Sequence, residues 1–284
     1  MPELPEVESI LRHLAPILIG KTIKNIHIHR PKCFIGDQNK IIGKTISKIF
    51  RHGKYLHIQI EPHLYLSVHL KMSGQLLYSE SSKGKVFPYP IPRSGTNEIP
   101  NKHTRVILVF EDDSALFFND LRAFGWLKIE RDPIHPKGDD ILNEGIIFND
   151  LVKKLGKTSR SIKTVLLDQN IIAGLGNIYV NDVLFEAKIH PLTAANRLNG
   201  KQIEKLVVAI DKIISLALKY RGSSSGDEMY ILPDSTRGDY QKITLVYGRE
   251  GSPCKKCGQS ILRIKQGGRS SFFCPKCQVK PVPK

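Results

Sequence analysis

The chain begins Met1-Pro2-Glu3-Leu4-Pro5-Glu6-Val7-Glu8, an acidic, proline-punctuated stretch at the head of a strongly basic sequence. As local structure it is a helix start. Pro5 suits the first turn, Glu6 and Glu8 suit the positive end of a helix dipole, and Val7, Ile10, Leu11 and Leu14 recur at helical spacing. As chemistry it is an amine beside carboxylates. Removal of Met1, which the small residue after it permits, would leave Pro2 with a secondary amine titrating near the α-amino value of about 8 rather than the lysine value of about 10. A fraction of that amine is neutral at pH 7, able to attack an electrophilic sugar carbon and form an iminium while Glu3 or Glu6 moves protons. The stretch alone supports both readings.

Beyond this helix, short segments rich in β-branched and aromatic residues follow at Thr22–His29, Thr45–Phe50, Tyr55–Ile60, Tyr65–Leu70, Gln75–Tyr78, Arg105–Phe110, Ala115–Asn119 and Trp126–Glu130. Their spacing suggests an antiparallel sandwich or barrel. Ser79–Pro100, with its prolines and little periodicity, is expected to be a long excursion loop. Around 131–143 the strand pattern stops, and the texture turns helical at Phe148–Leu155, Ile162–Leu167, Ile178–Ala187 and Lys201–Leu218. Arg221–Tyr240, opening Gly222-Ser223-Ser224-Ser225-Gly226, reads as a mobile loop. The fold class is therefore α+β, with strands first and helices after.

The 284 residues suit two domains, and 40% hydrophobic content is ample for folding. A formal net charge of +16 predicts a polyanionic partner, either nucleic acid or an anionic membrane surface. The sequence has neither a long apolar run nor a leading secretory signal, so a cytoplasmic protein is expected. Four of the five cysteines cluster near the end, which is not the distribution of a disulfide scaffold, and Cys33 reads as a free thiol without a role. From Arg249 onward the chain carries Lys or Arg at 249, 255, 256, 263, 265, 269, 276, 280 and 284 against the single acid Glu250, about half of the excess charge.

Cys254-x2-Cys257 and Cys274-x2-Cys277 are the most specific signal: two such knuckles place four thiolates tetrahedrally around one structural Zn²⁺, with no open position for catalysis. Between them Ile261–Ile264 and Ser270–Phe273 alternate like two strands joined through Gln266-Gly267-Gly268-Arg269. A hairpin arginine is commonly just solvated, but Arg269 beside glycines on a basic module can bind a phosphate bidentately, which favours nucleic acid over membrane. In Ala173-Gly174-Leu175-Gly176-Asn177 the dinucleotide fingerprint fails, because its third glycine position holds Tyr179 and the preceding segment reads as helix. The turn is either a phosphate site at a helix N-terminus, completed by Asn177, or a simple N-cap. Two strand ends, His69-Leu70-Lys71-Met72-Ser73-Gly74 and Asn119-Asp120-Leu121-Arg122-Ala123-Phe124-Gly125, carry Met72, Arg122 and Phe124. These have the properties of wedges and a donor that fill the hole left by an extruded base, although each singly is more often packing or surface charge.

With those pieces in place the sequence resembles the formamidopyrimidine-DNA glycosylases over nearly its whole length. The resemblance rests on Pro2 to Glu8, His52-Gly53-Lys54-Tyr55-Leu56, His69 to Gly74, Asp168-Gln169, Gly174 to Tyr179, Ile189-His190-Pro191, and Tyr247-Gly248-Arg249 leading into the cysteine module. It implies an N-terminal β-sandwich domain with flanking helices (1–131), a linker (132–146), a helix-two-turn-helix domain (147–246) and a β-hairpin zinc finger (247–284), with damaged double-stranded DNA between them. It further implies excision of oxidised purines by attack of Pro2 on C1′, Glu3 as general acid, and β,δ-elimination through a Schiff base. By the same carry-over Lys54 belongs to the catalytic group. His69, His103, Lys163, Asn177 and Arg269 contact DNA, and Met72, Arg122 and Phe124 fill the void. The protein is expected to act as a monomer at the nucleoid. Departures fall at the long 79–100 stretch, at Leu121 and Ala123, after His103, and at 227–240. Two alternatives remain: an endonuclease VIII-like enzyme for oxidised pyrimidines, and a zinc-ribbon DNA-binding protein that does not cut.

Overall fold

The computed structural model describes residues 1–224 and 229–280 and divides into two compact units, Met1–His135 with Tyr220–Gln241, and Pro136–Lys219 with Lys242–Lys284. The first unit opens with α1 (Leu4–Leu18), where Pro5 lies in the first turn and Val7, Ile10, Leu14 and Leu18 are buried along one face. Its strands are β1 (Ile23–Ile28), β2 (Phe34–Ile35), β3 (Lys48–His52), β4 (Tyr55–Glu61), β5 (Leu64–His69), β6 (Gly74–Ser79), β7 (Lys85–Val86), β8 (Glu98–Ile99), β9 (Thr104–Phe110), β10 (Ala115–Asp120) and β11 (Trp126–Glu130). They form a four-stranded sheet in the order β1-β9-β10-β6 and a five-stranded sheet in the order β2-β11-β5-β4-β3, antiparallel except for the β2–β11 pair. The separate β7–β8 ladder lies within the 79–100 stretch.

Side-chain alternation explains how the sheets pack. Leu76, Val106, Leu108, Phe110, Leu116 and Phe118 of one sheet share a core with Leu56, Ile58, Leu66, Val68 and Leu127 of the other. The intervening residues, Leu77, Ile107, Val109, Ala115 and Phe117, occupy the opposite face, which would meet water were it left bare. Phe87, Ile91 and Ile99 cover it, joined by Ile231. The stretch expected to be an excursion loop is thus a cover that gives the four-stranded sheet a second core. This is why Val106–Phe110 and Ala115–Phe118 are apolar at consecutive positions rather than alternating.

The Arg221–Tyr240 stretch also differs from the mobile loop expected of it. Ser225–Glu228 lie outside the described residues, as do Pro281–Lys284. Met229–Leu232 are buried, with Tyr230 and Leu232 in the main core and Ile231 in the second. Gln75 Nε2 donates to the Met229 carbonyl at 2.7 Å and Tyr78 N–H to that of Pro233 at 3.0 Å. Four apolar residues in a row outweigh the Gly/Ser composition upstream. The chain therefore re-enters the first unit within the range assigned from sequence to the helical domain.

The second unit contains β12 (Asp139–Asp140), α2 (Phe148–Gly156), α3 (Ile162–Leu166), β13 (Ile172–Ala173), α4 (Asn177–Glu186), α5 (Gly200–Lys219), β14 (Leu262–Gln266) and β15 (Arg269–Phe273). The segment before Gly174 is not helical as expected: Ile172–Ala173 pairs in parallel with Asp139–Asp140. Gly138 permits that approach, since a Cβ there would lie 2.7 Å from the Gln169 carbonyl oxygen. The β14–β15 hairpin packs on α4 through Phe185, Val246, Ile261 and Phe272. Among the described residues no helix is long and apolar enough to cross a membrane.

Candidate functional site

In the first unit, the start of α1 is fixed by a reciprocal capping box. Glu3 is the N-cap residue, and its N–H donates to Glu6 Oε2 at 2.7 Å. The other Glu6 oxygen accepts from Ser223 N–H at 2.7 Å, where Gly222, at φ +78°, leaves room that a Cβ would fill only 2.7 Å from Glu6 Oε1. Glu6 thus ties the helix start to the returning chain, while the Glu3 side chain, next to Pro2 in sequence, caps the same helix. Pro2 and Glu3 are buried, whereas Met1 is 38% exposed. Arg51, buried on β3, pairs with Glu8 at 3.1 Å and donates to the Gly53 carbonyl, shaping the turn that presents Lys54.

Lys54 and Lys71 bring positive charge to His69. Burial first, then those two ammonium groups, pushes the His69 pKa down to about 3, so its imidazole is neutral at physiological pH. Lys71 N–H donates to His69 Nδ1 at 2.9 Å, which assigns the proton to Nε2 and makes that nitrogen a neutral donor. Tyr55 packs edge-on against the ring at 4.7 Å between centroids. A second histidine group gathers His52 of β3, His57 of β4 and His135 from the segment after β11, with His52 and His135 ring centroids 3.8 Å apart.

Two loop tips follow. Met72 and Phe124 are 37% and 52% exposed, unusual for side chains of this size. The Arg122 guanidinium lies 4.9 Å from the Phe124 ring centroid, with Lys32 Nζ on the same ring at 5.9 Å. His103 is half-buried beside them in sequence register, its backbone carbonyl accepting from Asp120 N–H at 2.9 Å. Sequence reasoning passed over Asp120, although an aspartate followed by a turn and then glycine is a signature of a side chain capping backbone amides.

In the second unit, α4 begins at Asn177 with Gly176 as N-cap and no side-chain cap. Asn177 Oδ1 is buried without a hydrogen-bond partner. Lys163, for which the resemblance implies a DNA contact, is buried, and its ammonium donates to the Ser270 carbonyl at 2.6 Å and to Ser271 Oγ at 2.8 Å. It braces the hairpin from behind while Arg269 stays exposed at the tip. Phe272 N–H donates to Asn181 Oδ1 at 2.8 Å, and Asn181 Nδ2 donates to the Asn177 carbonyl, so the hairpin and the start of α4 are tied together.

The four cysteine sulfurs lie within 4.8 Å of one another, with Cys254–Cys277 at 4.0 Å and Cys257–Cys274 at 3.5 Å. A tetrahedron of Zn–S bonds of about 2.3 Å has edges of about 3.8 Å, so the sulfurs already stand where a zinc ion would hold them. All-thiolate ligation closes the shell, and one zinc at this site is structural.

The formamidopyrimidine-DNA glycosylase N-terminal domain model matches residues 1–127, the H2TH domain model of the same family matches 138–228, and the zinc finger found in FPG and IleRS matches 251–279. The chain is 38% identical over 283 residues to the formamidopyrimidine-DNA glycosylase of Carboxydothermus hydrogenoformans, covering 98% of this chain and 100% of that one. Among solved structures, MutM (Fpg) from Thermus thermophilus superposes with a TM-score of 0.83 at 32% identity, covering 99% of this chain and 100% of that one. Lactococcus lactis Fpg, solved in complex with DNA containing an abasic site, does so with a TM-score of 0.83 at 33% identity, covering 98% and 100%. The chain belongs to the formamidopyrimidine-DNA glycosylase family. It is a DNA glycosylase of base excision repair carrying a structural zinc finger.

Proposed function

We propose that this enzyme excises oxidised purines, 8-oxoguanine and formamidopyrimidines, from double-stranded DNA and then cuts the strand at the resulting abasic site. The observation that carries the reading is the buried Pro2–Glu3 pair at the cap of α1, behind an exposed Met1. After loss of Met1, the Pro2 nitrogen attacks C1′ of an extruded nucleotide. The glycosidic bond breaks and the base departs with a proton. Glu3 donates the proton that lets the sugar ring open as the iminium forms. Loss of a C2′ proton then expels the 3′ phosphate, and a second elimination expels the 5′ phosphate, with Lys54 placed to steady the phosphate charge.

DNA is held by phosphate contacts that position without reading sequence: Lys54, neutral His69 through Nε2–H, His103, the start of α4 at Asn177, and Arg269 on the zinc hairpin. Lys163 contributes indirectly, by fixing the hairpin that carries Arg269. Met72, Arg122 and Phe124 occupy the space of the missing base and face its former partner. The domain boundaries we assign are those of the two units, Met1–His135 with Tyr220–Gln241 and Pro136–Lys219 with Lys242–Lys284, the zinc finger being the 247–284 part of the second. The test is a panel of duplexes carrying 8-oxoguanine, a formamidopyrimidine, an oxidised pyrimidine or an abasic site, incubated with borohydride. A covalent complex and strand scission on the purine lesions are expected. Preference for the oxidised pyrimidine would select the endonuclease VIII-like alternative, and binding without scission the non-cutting zinc-ribbon alternative.

A further inference from the structure

After the first crossing, from β1 to β2, the chain passes between the sheets twice more, and the two exposed tips lie at those two later crossings. Leu70–Ser73 runs from β5 in the five-stranded sheet to β6 in the four-stranded sheet, and Leu121–Gly125 returns from β10 to β11. Because Gly74 pairs with Asp120 and His69 with Trp126, the crossings lie side by side. Asp120 sits between them, fully buried.

Its carboxylate is spent on both crossings. Oδ1 accepts from Ser73 Oγ–H on the first tip and, at 3.1 Å, from Arg122 N–H on the second; Oδ2 accepts from Gly125 N–H at 2.7 Å. Arg122 N–H also reaches Ser73 Oγ at 3.1 Å, closing a ring through both loops. The backbone on either side is held in forms that need such support: Lys71 and Ala123 adopt φ of 50° and 51°, a region few non-glycine residues occupy. Gly125 is packed so closely that a Cβ would lie 2.8 Å from Phe118 Cζ and 3.0 Å from the His69 carbonyl oxygen. Arg105 reinforces the second crossing from outside, donating to the Asp120 carbonyl at 2.7 Å.

We propose that Asp120 and Ser73 form a clasp that holds Met72 and the Arg122–Phe124 pair as one rigid wedge, and that this clasp sets which base the enzyme accepts opposite the lesion; the inference rests on the function proposed above. Discrimination between partner bases needs a donor placed to within a fraction of an ångström, and hydrogen bonds weaken steeply with distance and angle. A wedge whose halves moved independently would still fill space but would no longer choose. Asp120 and Ser73 are positioning residues, acting on DNA only through the tips they join.

The experiment uses full-length zinc-loaded protein and compares wild type with Asp120→Asn, Ser73→Ala and the double variant on 8-oxoguanine placed opposite cytosine, adenine, guanine or thymine. The expected result is a loss of about tenfold in the ratio of excision rates between preferred and disfavoured partners, the equivalent of about 1.4 kcal/mol. Cleavage at a preformed abasic site should be unchanged, and the double variant no worse than Asp120→Asn, since the two side chains act as a unit. A wild-type ratio retained in folded Ser73→Ala and Asp120→Asn overturns the clasp, as does excision and abasic-site cleavage falling in parallel, or a wild-type ratio near one. Should Asp120→Asn fail to fold, Ser73→Ala decides alone. Wild-type protein that excises 8-oxoguanine against no partner would instead reject the function proposed above.

Discussion

At the scale of single residues, the chemistry assigned to the chain's first residues separates from its folding role. Glu3 both caps α1 and is the proposed acid. Glu3→Gln keeps an oxygen to cap the helix but has no proton to give, so kcat for base excision is expected to fall by about 10²–10⁴-fold with little change in melting temperature. Pro2→Gly keeps a terminal amine and should weaken, not abolish, the borohydride-trapped complex; mass spectrometry finding Met1 retained in fully active protein would contradict the mechanism.

The buried histidines give a pH dependence with a definite sign. His57, through burial and then the neighbouring His52 charge, and His69, through burial and then Lys71 and Lys54, both have pKa values pushed down to about 3. The unfolded chain therefore takes up protons below about 6.5 that the folded chain refuses, and stability present above that value drains away as pH falls toward about 3. Melting temperature should drop between about pH 7 and about pH 4, and His57→Gln should flatten that slope.

At the scale of elements, the 79–100 cover contributes to stability rather than chemistry. Phe87→Ala, emptying a fully buried site in the second core, is expected to cost about 3–5 kcal/mol in denaturant unfolding while the folded fraction keeps its excision rate. The periodic elements were legible from sequence: the stripe on α5, the strands of both sheets other than the two-residue β2, and the cysteine knuckles, because each repeats a local signal. The cover and the Met229–Leu232 return were not, since they are irregular segments whose apolar residues find partners far away in the chain. The brace that Lys163 forms was hidden for a related reason. A lysine's chain position does not say whether its head meets water or a buried carbonyl. Asp120 was passed over because a single carboxylate shows its role only when the loops it joins are seen together.

At the scale of the whole molecule, charge and metal divide the labour of binding. A chain of net charge +16 should show DNA affinity that falls steeply and linearly in log–log form with salt. Arg269→Ala should reduce that slope by about one phosphate's worth, measurable by anisotropy titration. Zinc removal by a strong chelator, or Cys277→Ser, should disorder the hairpin and abolish DNA engagement, because four clustered thiolates without their ion favour release of the fold they hold.

The return of Tyr220–Gln241 to the first unit has a consequence for biosynthesis. A nascent chain paused after residue 135 has all its sheet strands but not Tyr230, Ile231 and Leu232, which complete both of that unit's cores. The N-terminal unit must therefore wait on the ribosome until the helices that interrupt it have been translated, and a gene fragment ending before Gln241 would yield a product with open apolar seams, prone to aggregate rather than to work as half an enzyme.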